Sequence, residues 1–111
     1  MEKRELVIIG AGPAGLTSAI YGRRAGLDVL LIEKGVPGGQ INITAEIENW
    51  PGVAHASGQE LGDMFRVHAE KFNTEFRDAD VKKIELRDGS KIVVTDKAEI
   101  EAEAIILATG A

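Results

Sequence analysis

The chain has 111 residues, of which 44% are apolar and 28% charged, and its formal net charge at pH 7 is −5. The acidic balance disfavours a nucleic-acid partner, because a phosphate backbone attracts Lys and Arg clusters that this sequence lacks. No apolar run approaches the roughly 20 residues needed to span a bilayer, and the lack of cysteine excludes thiol catalysis and thiolate metal sites within these residues. We expect one cytoplasmic domain over residues 1–111, with no signal peptide and no metal site.

The first third of the chain predicts a strand, a helix and a second strand. The apolar run Leu6–Ile9 predicts a strand buried on both faces. A helix follows over Pro13–Ala25, since proline suits the first helical turn and Gly26 suits the stop. The second apolar run predicts a strand over Val29–Ile32. Together these elements form a right-handed βαβ unit.

The middle of the chain is less regular. The segment Gly35–Gly52 is rich in glycine and proline and predicts a loop, which at this length indicates a functional role. Ser57 followed by Glu60 predicts a capping box at the start of a helix that runs from Gly58 to about Asn73.

The last part of the chain predicts strands. Phe76–Val81 predicts a short strand, two alternating runs joined at Asp88-Gly89 predict a hairpin, and Ile105–Ala108 repeats the pattern of the first strand. The predicted fold class is α/β, a doubly wound parallel sheet with a small antiparallel β-hairpin layer. We expect the strand order Phe76, Val29, Leu6, Ile105.

The glycines Gly10, Gly12 and Gly15 form G-x-G-x-x-G between the first strand and the first helix, and Glu33 ends the second strand. In this context the first glycine permits a tight turn, the second lets the backbone approach a pyrophosphate, and the third allows close helix–sheet packing. A glutamate at this position can bind a ribose diol and disfavours a 2′-phosphate. The pattern predicts an adenine dinucleotide, and the spacing does not decide between NAD and FAD.

The stretches "GAGPAGLTSAIYGRRAGLDVLLIEKG", "PGGQI", "EIENWPG", "HAEKFNTE" and "ATGA" occur in this order. In these stretches the chain resembles the N-terminal FAD-binding segment of the low-molecular-weight thioredoxin reductases, and the resemblance covers nearly its whole length. Related flavoproteins share much of the pattern, among them the flavoprotein subunit of alkyl hydroperoxide reductase and the ferredoxin–NADP reductases of the thioredoxin-reductase type.

The resemblance implies FAD as the cofactor and assigns a role to each matching position. The residues expected at the pyrophosphate are Gly10, Gly12, Pro13, Ala14 and Gly15. Those expected at the adenosine are Glu33, Lys34 and, through its backbone, Val81. Those expected along the ribityl chain and flavin are Gly38, Gly39, Gln40, Thr44 and Asn49. Thr109 and Gly110 are expected to close over the cofactor. No catalytic residue is expected in this chain.

In the resembled family, electrons pass from NADPH through FAD to a Cys-x-x-Cys disulfide and then to thioredoxin. The cysteines and the NADPH site belong to a second domain, so the chain looks like the first third of such an enzyme, whose parent we expect to be a homodimer. Two classes of function stay open: a part of a flavin-dependent reductase, or a non-catalytic dinucleotide-binding module. We expect the chain by itself to be catalytically silent, and its last strand to leave an unpaired sheet edge.

Overall fold

The computed structural model describes residues 1–110, which form six strands, two α-helices and a 3-10 helix. The elements in chain order are β1 (Glu2–Ile9), α1 (Pro13–Arg24), β2 (Val29–Glu33), the 3-10 helix (Gly39–Ile43), α2 (Gly58–Lys71), β3 (Glu75–Asp78), β4 (Val81–Arg87), β5 (Ser90–Thr95) and β6 (Glu99–Leu107).

The strands form one sheet in the order β3-β2-β1-β6-β5-β4. The first four strands of this order run parallel to one another, and β1 pairs with β2 so that Leu6 lies opposite Val29. The predicted order of the parallel strands is therefore confirmed. The remaining two strands, β5 and β4, pair antiparallel, and their connection has Asp88 and Gly89 at positive φ, as a two-residue hairpin turn requires.

The sheet curls so strongly that its antiparallel part covers one face of its parallel part. Strands β3 and β4 lie at opposite ends of the strand order, yet only Ala79 and Asp80 separate them in the chain. Three peptide units span at most about 11 Å, so the two ends of the sheet come close together. On this face Leu30 of β2 belongs to the same buried cluster as Val93 of β5 and Ile100 of β6. The predicted hairpin layer is this curled part of the sheet.

Both α-helices pack on the opposite face of the parallel strands. Leu16 and Ile20 of α1 and Ala69 of α2 share a buried cluster with Ile8 of β1 and Leu31 of β2. Alternate residues of β1 and β2 thus face the helices and the curled hairpin, which explains why the runs Leu6–Ile9 and Val29–Ile32 are apolar at every position. Neither described helix has the length and apolar character to cross a membrane.

Several predicted elements are confirmed and others need correction. The capping box is present, with the Ser57 hydroxyl accepting from the Glu60 N–H and the Glu60 carboxylate accepting from the Ser57 N–H. The predicted strand Phe76–Val81 is wrong as a single element, because the chain leaves β3 after Asp78 and begins β4 at Val81. The predicted loop Gly35–Gly52 contains the 3-10 helix, and its residues Ile47 and Trp50 form isolated bridges with Ala56 and Val53, just beyond its end.

Candidate functional site

Two of the three loop glycines are required by the fold itself. Gly10 has a φ of +107°, and a Cβ there would lie 2.1 Å from the Ala108 carbonyl oxygen. A Cβ on Gly15 would lie 1.8 Å from the Gly10 carbonyl oxygen. These contacts join β1, α1 and the end of β6 backbone to backbone, so neither position has room for a side chain.

Gly12 is different, because neither its backbone conformation nor its packing requires glycine. Its φ is −78°, and the nearest atom to a Cβ there would be the Gly39 Cα, at an ordinary contact distance of 3.8 Å. A side chain would instead occupy the cleft in front of α1. Glycine at this position thus leaves that part of the cleft open and its backbone bare.

That space belongs to a cleft of about 550 Å³ at the carboxyl ends of β1 and β6. It is lined by Gly10, Ala11, Gly12, Pro13, Ala14, Glu33, Gly39, Gln40, Ile43, Ala108, Thr109 and Gly110. Gly12 is the N-cap of α1 and supplies no side-chain cap. The first N–H groups of the helix therefore stand at the cleft, where they and the helix dipole favour an anion.

A second cleft, of about 270 Å³, continues from the first between the end of β2 and the start of β4. We call it the β2–β4 cleft; it is lined by Ile9, Gly10, Ile32, Glu33, Lys34, Ala79, Asp80, Val81 and Thr109. Gly10, Glu33 and Thr109 line both clefts. The two together make an elongated groove across the carboxyl end of the parallel strands, where ligands of open α/β sheets bind.

The side chain of Glu33 lies where the two clefts meet. Its Oε2 accepts a hydrogen bond from the Ala11 N–H at 3.1 Å, so the carboxylate is held against the glycine loop. The following residue, Lys34, pairs through Nζ with Oδ2 of Asp80 at 3.3 Å. Hydrogen bonds from Lys82 and then from Lys34 lower the pKa of the Asp80 carboxyl, so this wall of the β2–β4 cleft carries paired charges of both signs.

A third segment, Pro37–Ile43, covers the glycine loop from the side of the 3-10 helix. The Gly38 N–H donates to the Ala11 carbonyl at 2.7 Å, and a Cβ on Gly39 would lie 2.9 Å from the Gly12 Cα. Asn42 holds the segment by donating from Nδ2 to the Pro37 carbonyl at 3.0 Å. Gln40 lines the larger cleft from this segment.

The structure brings most of the predicted site residues to this groove. Those that line one of its two clefts are Gly10, Gly12, Pro13, Ala14, Glu33, Lys34, Gly39, Gln40, Val81, Thr109 and Gly110. Those that line neither cleft are Gly15, Gly38, Thr44 and Asn49. Gly15 and Gly38 are buried, and each contacts the backbone of the glycine loop, at Gly10 and Ala11 respectively. Thr44 and Asn49 are exposed.

The sequence reasoning missed several residues of the groove. Ala11, Ile43 and Ala108 line the larger cleft, and Asp80 lines the smaller one. The sequence could have indicated Ala11 and Ala108 as groove residues, since each adjoins a residue already assigned to the cofactor. It could not have indicated Asp80, because the position of Asp80 at the groove depends on the curl of the sheet. Among residues 1–110, no group of three His, Asp or Glu side chains is arranged to hold a metal ion.

This geometry defines a class of protein. A glycine loop joins a buried parallel strand to an uncapped helix N-terminus, an acidic side chain ends the next strand, and the groove crosses the carboxyl end of the sheet. These are the features of a Rossmann-like dinucleotide-binding domain.

Comparison with known proteins identifies the family within this class. The sequence profile of the family described as pyridine nucleotide-disulphide oxidoreductase matches residues 4–111, and the chain belongs to this family. It is 45% identical over 109 residues to a thioredoxin reductase of Bacillus subtilis (strain 168), covering 96% of this chain and 34% of that protein.

Solved structures agree. The crystal structure of thioredoxin reductase from Streptococcus pyogenes MGAS5005 superposes with a TM-score of 0.94 at 48% identity, covering 98% of this chain and 36% of the other. A ferredoxin-flavin thioredoxin reductase from Clostridium acetobutylicum superposes with a TM-score of 0.90 at 28% identity, covering 100% of this chain and 39% of the other. The chain thus matches the N-terminal region of thioredoxin reductases and spans about a third of their length.

Proposed function

We propose that the chain is the FAD-binding part of a thioredoxin-reductase-like flavoenzyme. The observation that carries the proposal is Gly12: its missing side chain leaves open the part of the cleft next to the N-terminus of α1. A glycine that neither φ nor packing demands is explained by a ligand that approaches the backbone. The uncapped helix N-terminus suits a pyrophosphate, and Glu33 suits a ribose diol.

The groove supports an assignment of each part of FAD. The pyrophosphate would lie against Gly10 to Ala14, and Gly15 would keep α1 close enough for this contact. The adenosine would extend past Glu33 into the β2–β4 cleft, beside Lys34 and the backbone of Val81. The ribityl chain and flavin would follow Gly39 and Gln40, with Thr109 and Gly110 beside them. The roles of Gly38, Thr44 and Asn49 near the flavin rest on the family resemblance.

In the parent enzyme the bound flavin would supply a two-electron carrier between NADPH and a disulfide, with thioredoxin as the final acceptor. The residues of this chain would hold and orient that carrier: the N–H groups of the glycine loop and of the α1 N-terminus would stabilise the diphosphate charge, and Gln40 would offer an amide to polar flavin atoms. The chain has no cysteine, so the disulfide would come from other residues of the parent, and the family resemblance implies that the nicotinamide site lies there as well. We propose a cytoplasmic homodimer for that parent and no turnover for these 111 residues alone.

The electron donor of the parent has a second candidate. The chain superposes on a ferredoxin-flavin thioredoxin reductase over its full length, which favours ferredoxin in place of NADPH as an alternative. Both donors require the same flavin site, and the residues of this chain do not choose between them. An alternative outside catalysis is a module that binds an adenine dinucleotide and catalyses no reaction.

Calorimetric titration of the purified 111-residue chain with ADP and FAD tests the binding. We expect both ligands to bind. In a pair of ligands that differ only by the 2′-phosphate, we expect 2′,5′-ADP to bind more weakly than 5′-AMP, because Glu33 repels a 2′-phosphate. Failure of the folded chain to bind either ADP or FAD would contradict the proposed site. NADPH-dependent reduction of an artificial disulfide should stay at the rate of free flavin, and a higher rate would contradict the silent-chain proposal.

A further inference from the structure

The connection between β3 and β4, residues Ala79 and Asp80, forms the outer wall of the β2–β4 cleft together with Val81. Its position sets the width of that cleft, because the opposite wall is the end of β2. The Ala79 N–H donates one long hydrogen bond to the Glu33 carbonyl of β2 at 3.3 Å, and the partly exposed Asp80 carboxylate pairs with Lys34, the residue after β2, also at 3.3 Å.

A stronger attachment comes from the turn between β5 and β6. The Asp80 N–H donates to Oδ1 of Asp96 at 2.9 Å, and the Asp96 N–H donates to the Asp80 carbonyl at 2.9 Å. This reciprocal pair joins the two connections through both the backbone and the side chain of Asp96. Asp96 itself does not line either cleft.

The turn that carries Asp96 is itself held in place. The Thr95 hydroxyl oxygen accepts from the Lys97 N–H at 3.1 Å and from the Ala98 N–H at 2.9 Å, and Thr95 is buried. Lys97 donates from Nζ to the Asp78 carbonyl at 2.6 Å, on the other side of the β3–β4 connection. Asp96 therefore reaches Asp80 from a braced turn.

We infer that Asp96 is a positioning residue for the adenosine half of the dinucleotide. Its carboxylate holds the Asp80 backbone, which sets where Val81 begins β4 and so where the adenosine wall stands. The inference rests on the proposed function and extends it to a residue outside the groove. An Asp96→Ala chain loses the acceptor for the Asp80 N–H but no side chain that lines the groove. A change in its ligand affinity therefore reports how far the position of the Asp80–Val81 backbone matters for binding.

The test compares ADP binding by wild type, Asp96→Ala and Asp96→Asn, with Asp88→Asn at the β4–β5 turn as a matched control. We expect Asp96→Ala to weaken ADP binding about five- to tenfold, because binding must then order the wall that the lost hydrogen bond had held in place. Asp96→Asn keeps an Oδ1 acceptor and should bind within about twofold of wild type. Competition by inorganic pyrophosphate should be unchanged in all variants, because the glycine loop is untouched.

The unfolding midpoint in urea, measured without ligand, separates this role from a structural one. A role in stability alone would lower the midpoint of Asp96→Ala and leave the ADP affinity of the folded protein unchanged, and that result would overturn the inference. If Asp96→Ala fails to fold, Asp96→Glu, which moves the acceptor by one methylene, is compared in the same way. If the wild-type chain itself does not bind ADP, the proposed function fails. If wild type and Asp96→Ala bind ADP equally well, only the inference about Asp96 fails.

Discussion

The two ends of the parallel strands differ in chemistry: charged side chains predominate at the amino end, and backbone groups predominate at the carboxyl end. Around the start of β1, β2 and β3, charged side chains form one cluster consisting of Glu2, Arg4, Asp28, Glu75 and Arg77. At the carboxyl end of the same strands, backbone groups of a glycine loop face an open groove. One end satisfies its polar groups within the protein, whereas at the other end they face an open groove.

The charged cluster shows how thoroughly the first end is satisfied. The Arg4 side chain is only 15% exposed, and its guanidinium donates to Asp28 at 3.0 Å and to Glu75 at 2.8 Å. Arg77 donates to both carboxylate oxygens of Glu2, at 2.7 and 3.0 Å. These contacts tie the first residues of β1 to β3 across the sheet. The ion pairs at this end hold β1 and β3 in position. The loops at the carboxyl end therefore do not need to fasten these strands together and can leave the groove open.

The largest expected effect compares two glycines of the loop. Gly15→Ala would place a Cβ 1.8 Å from a backbone oxygen and should lower the free energy of unfolding by about 3 kcal/mol or more. Gly12→Ala places its Cβ in the cleft and should change the free energy of unfolding by less than about 1 kcal/mol, yet weaken ADP binding at least about tenfold. Urea unfolding and calorimetric titration of both variants measure the two quantities.

Gly26→Ala serves as the control for the glycine pair. It adds a methyl group outside the groove with no atom within 4 Å, at a φ of +81°, so it should cost some stability and leave ADP binding unchanged. Normal ADP affinity in Gly12→Ala would show that the pyrophosphate does not lie at this backbone.

The charged end should respond to acid. The hydrogen bonds from Arg77 lower the pKa of the Glu2 carboxyl to about 2, assisted by Arg4 and opposed by desolvation. The hydrogen bond from Arg4 likewise lowers the pKa of Glu75. A carboxyl with a depressed folded pKa stabilises the protein above its unfolded pKa of about 4.3, and that contribution declines as the pH falls towards 2. The urea concentration at the midpoint of unfolding should therefore decrease as the pH is lowered from about 5 to about 2.

Glu2→Gln should lower the free energy of unfolding at pH 7 by on the order of 1 kcal/mol, since the partly exposed pair is screened by solvent. It should also flatten the dependence of the urea midpoint on pH. Glu103→Gln, an exposed position on β6, is the matched control. The ion-pair account is rejected if Glu2→Gln keeps the wild-type dependence on pH.

The smallest expected effect concerns β6. Like the two ends of the parallel strands, its two halves differ in how completely their polar groups are paired within the protein. Its first half, Glu99–Ala102, pairs with β1 on one side and β5 on the other. Within the described strands, its second half, Ala104–Leu107, pairs with β1 alone, and Leu107 is 66% exposed. An open apolar edge favours pairing with a second copy, so we expect weak, concentration-dependent self-association of the chain in sedimentation velocity.

Leu107→Lys should reduce that self-association by putting a charge on the open edge. Leu86→Lys is the control, because Leu86 is 77% exposed on β4, at a different edge of the sheet. If the two variants sediment alike, the edge of β6 is not the site of self-association.

Much of the parallel fold could be predicted because its signals are local. The apolar runs of β1 and β2 indicate burial on both faces, and the loop between β1 and α1 carries its glycines at positions where backbone atoms meet. The capping box needed only Ser57 and Glu60. The predicted strand Phe76–Val81 failed because it was continued through Asp78, Ala79 and Asp80, residue types that are uncommon in strands. These residues can indicate a break, but they do not show that the chain crosses there to the other end of the sheet.

The candidate site divides in the same way. The sequence by itself determined the βαβ unit, the glycine loop and Glu33, because short-range sterics, helix dipoles and strand periodicity act over a few neighbouring residues. Only the tertiary structure decided that β6 is one strand of nine residues shared by both parts of the sheet. It also decided that Asp80 and Asp96, sixteen residues apart, exchange hydrogen bonds beside the groove. Both depend on how far the sheet coils, and coiling is the sum of small twists over every strand pair.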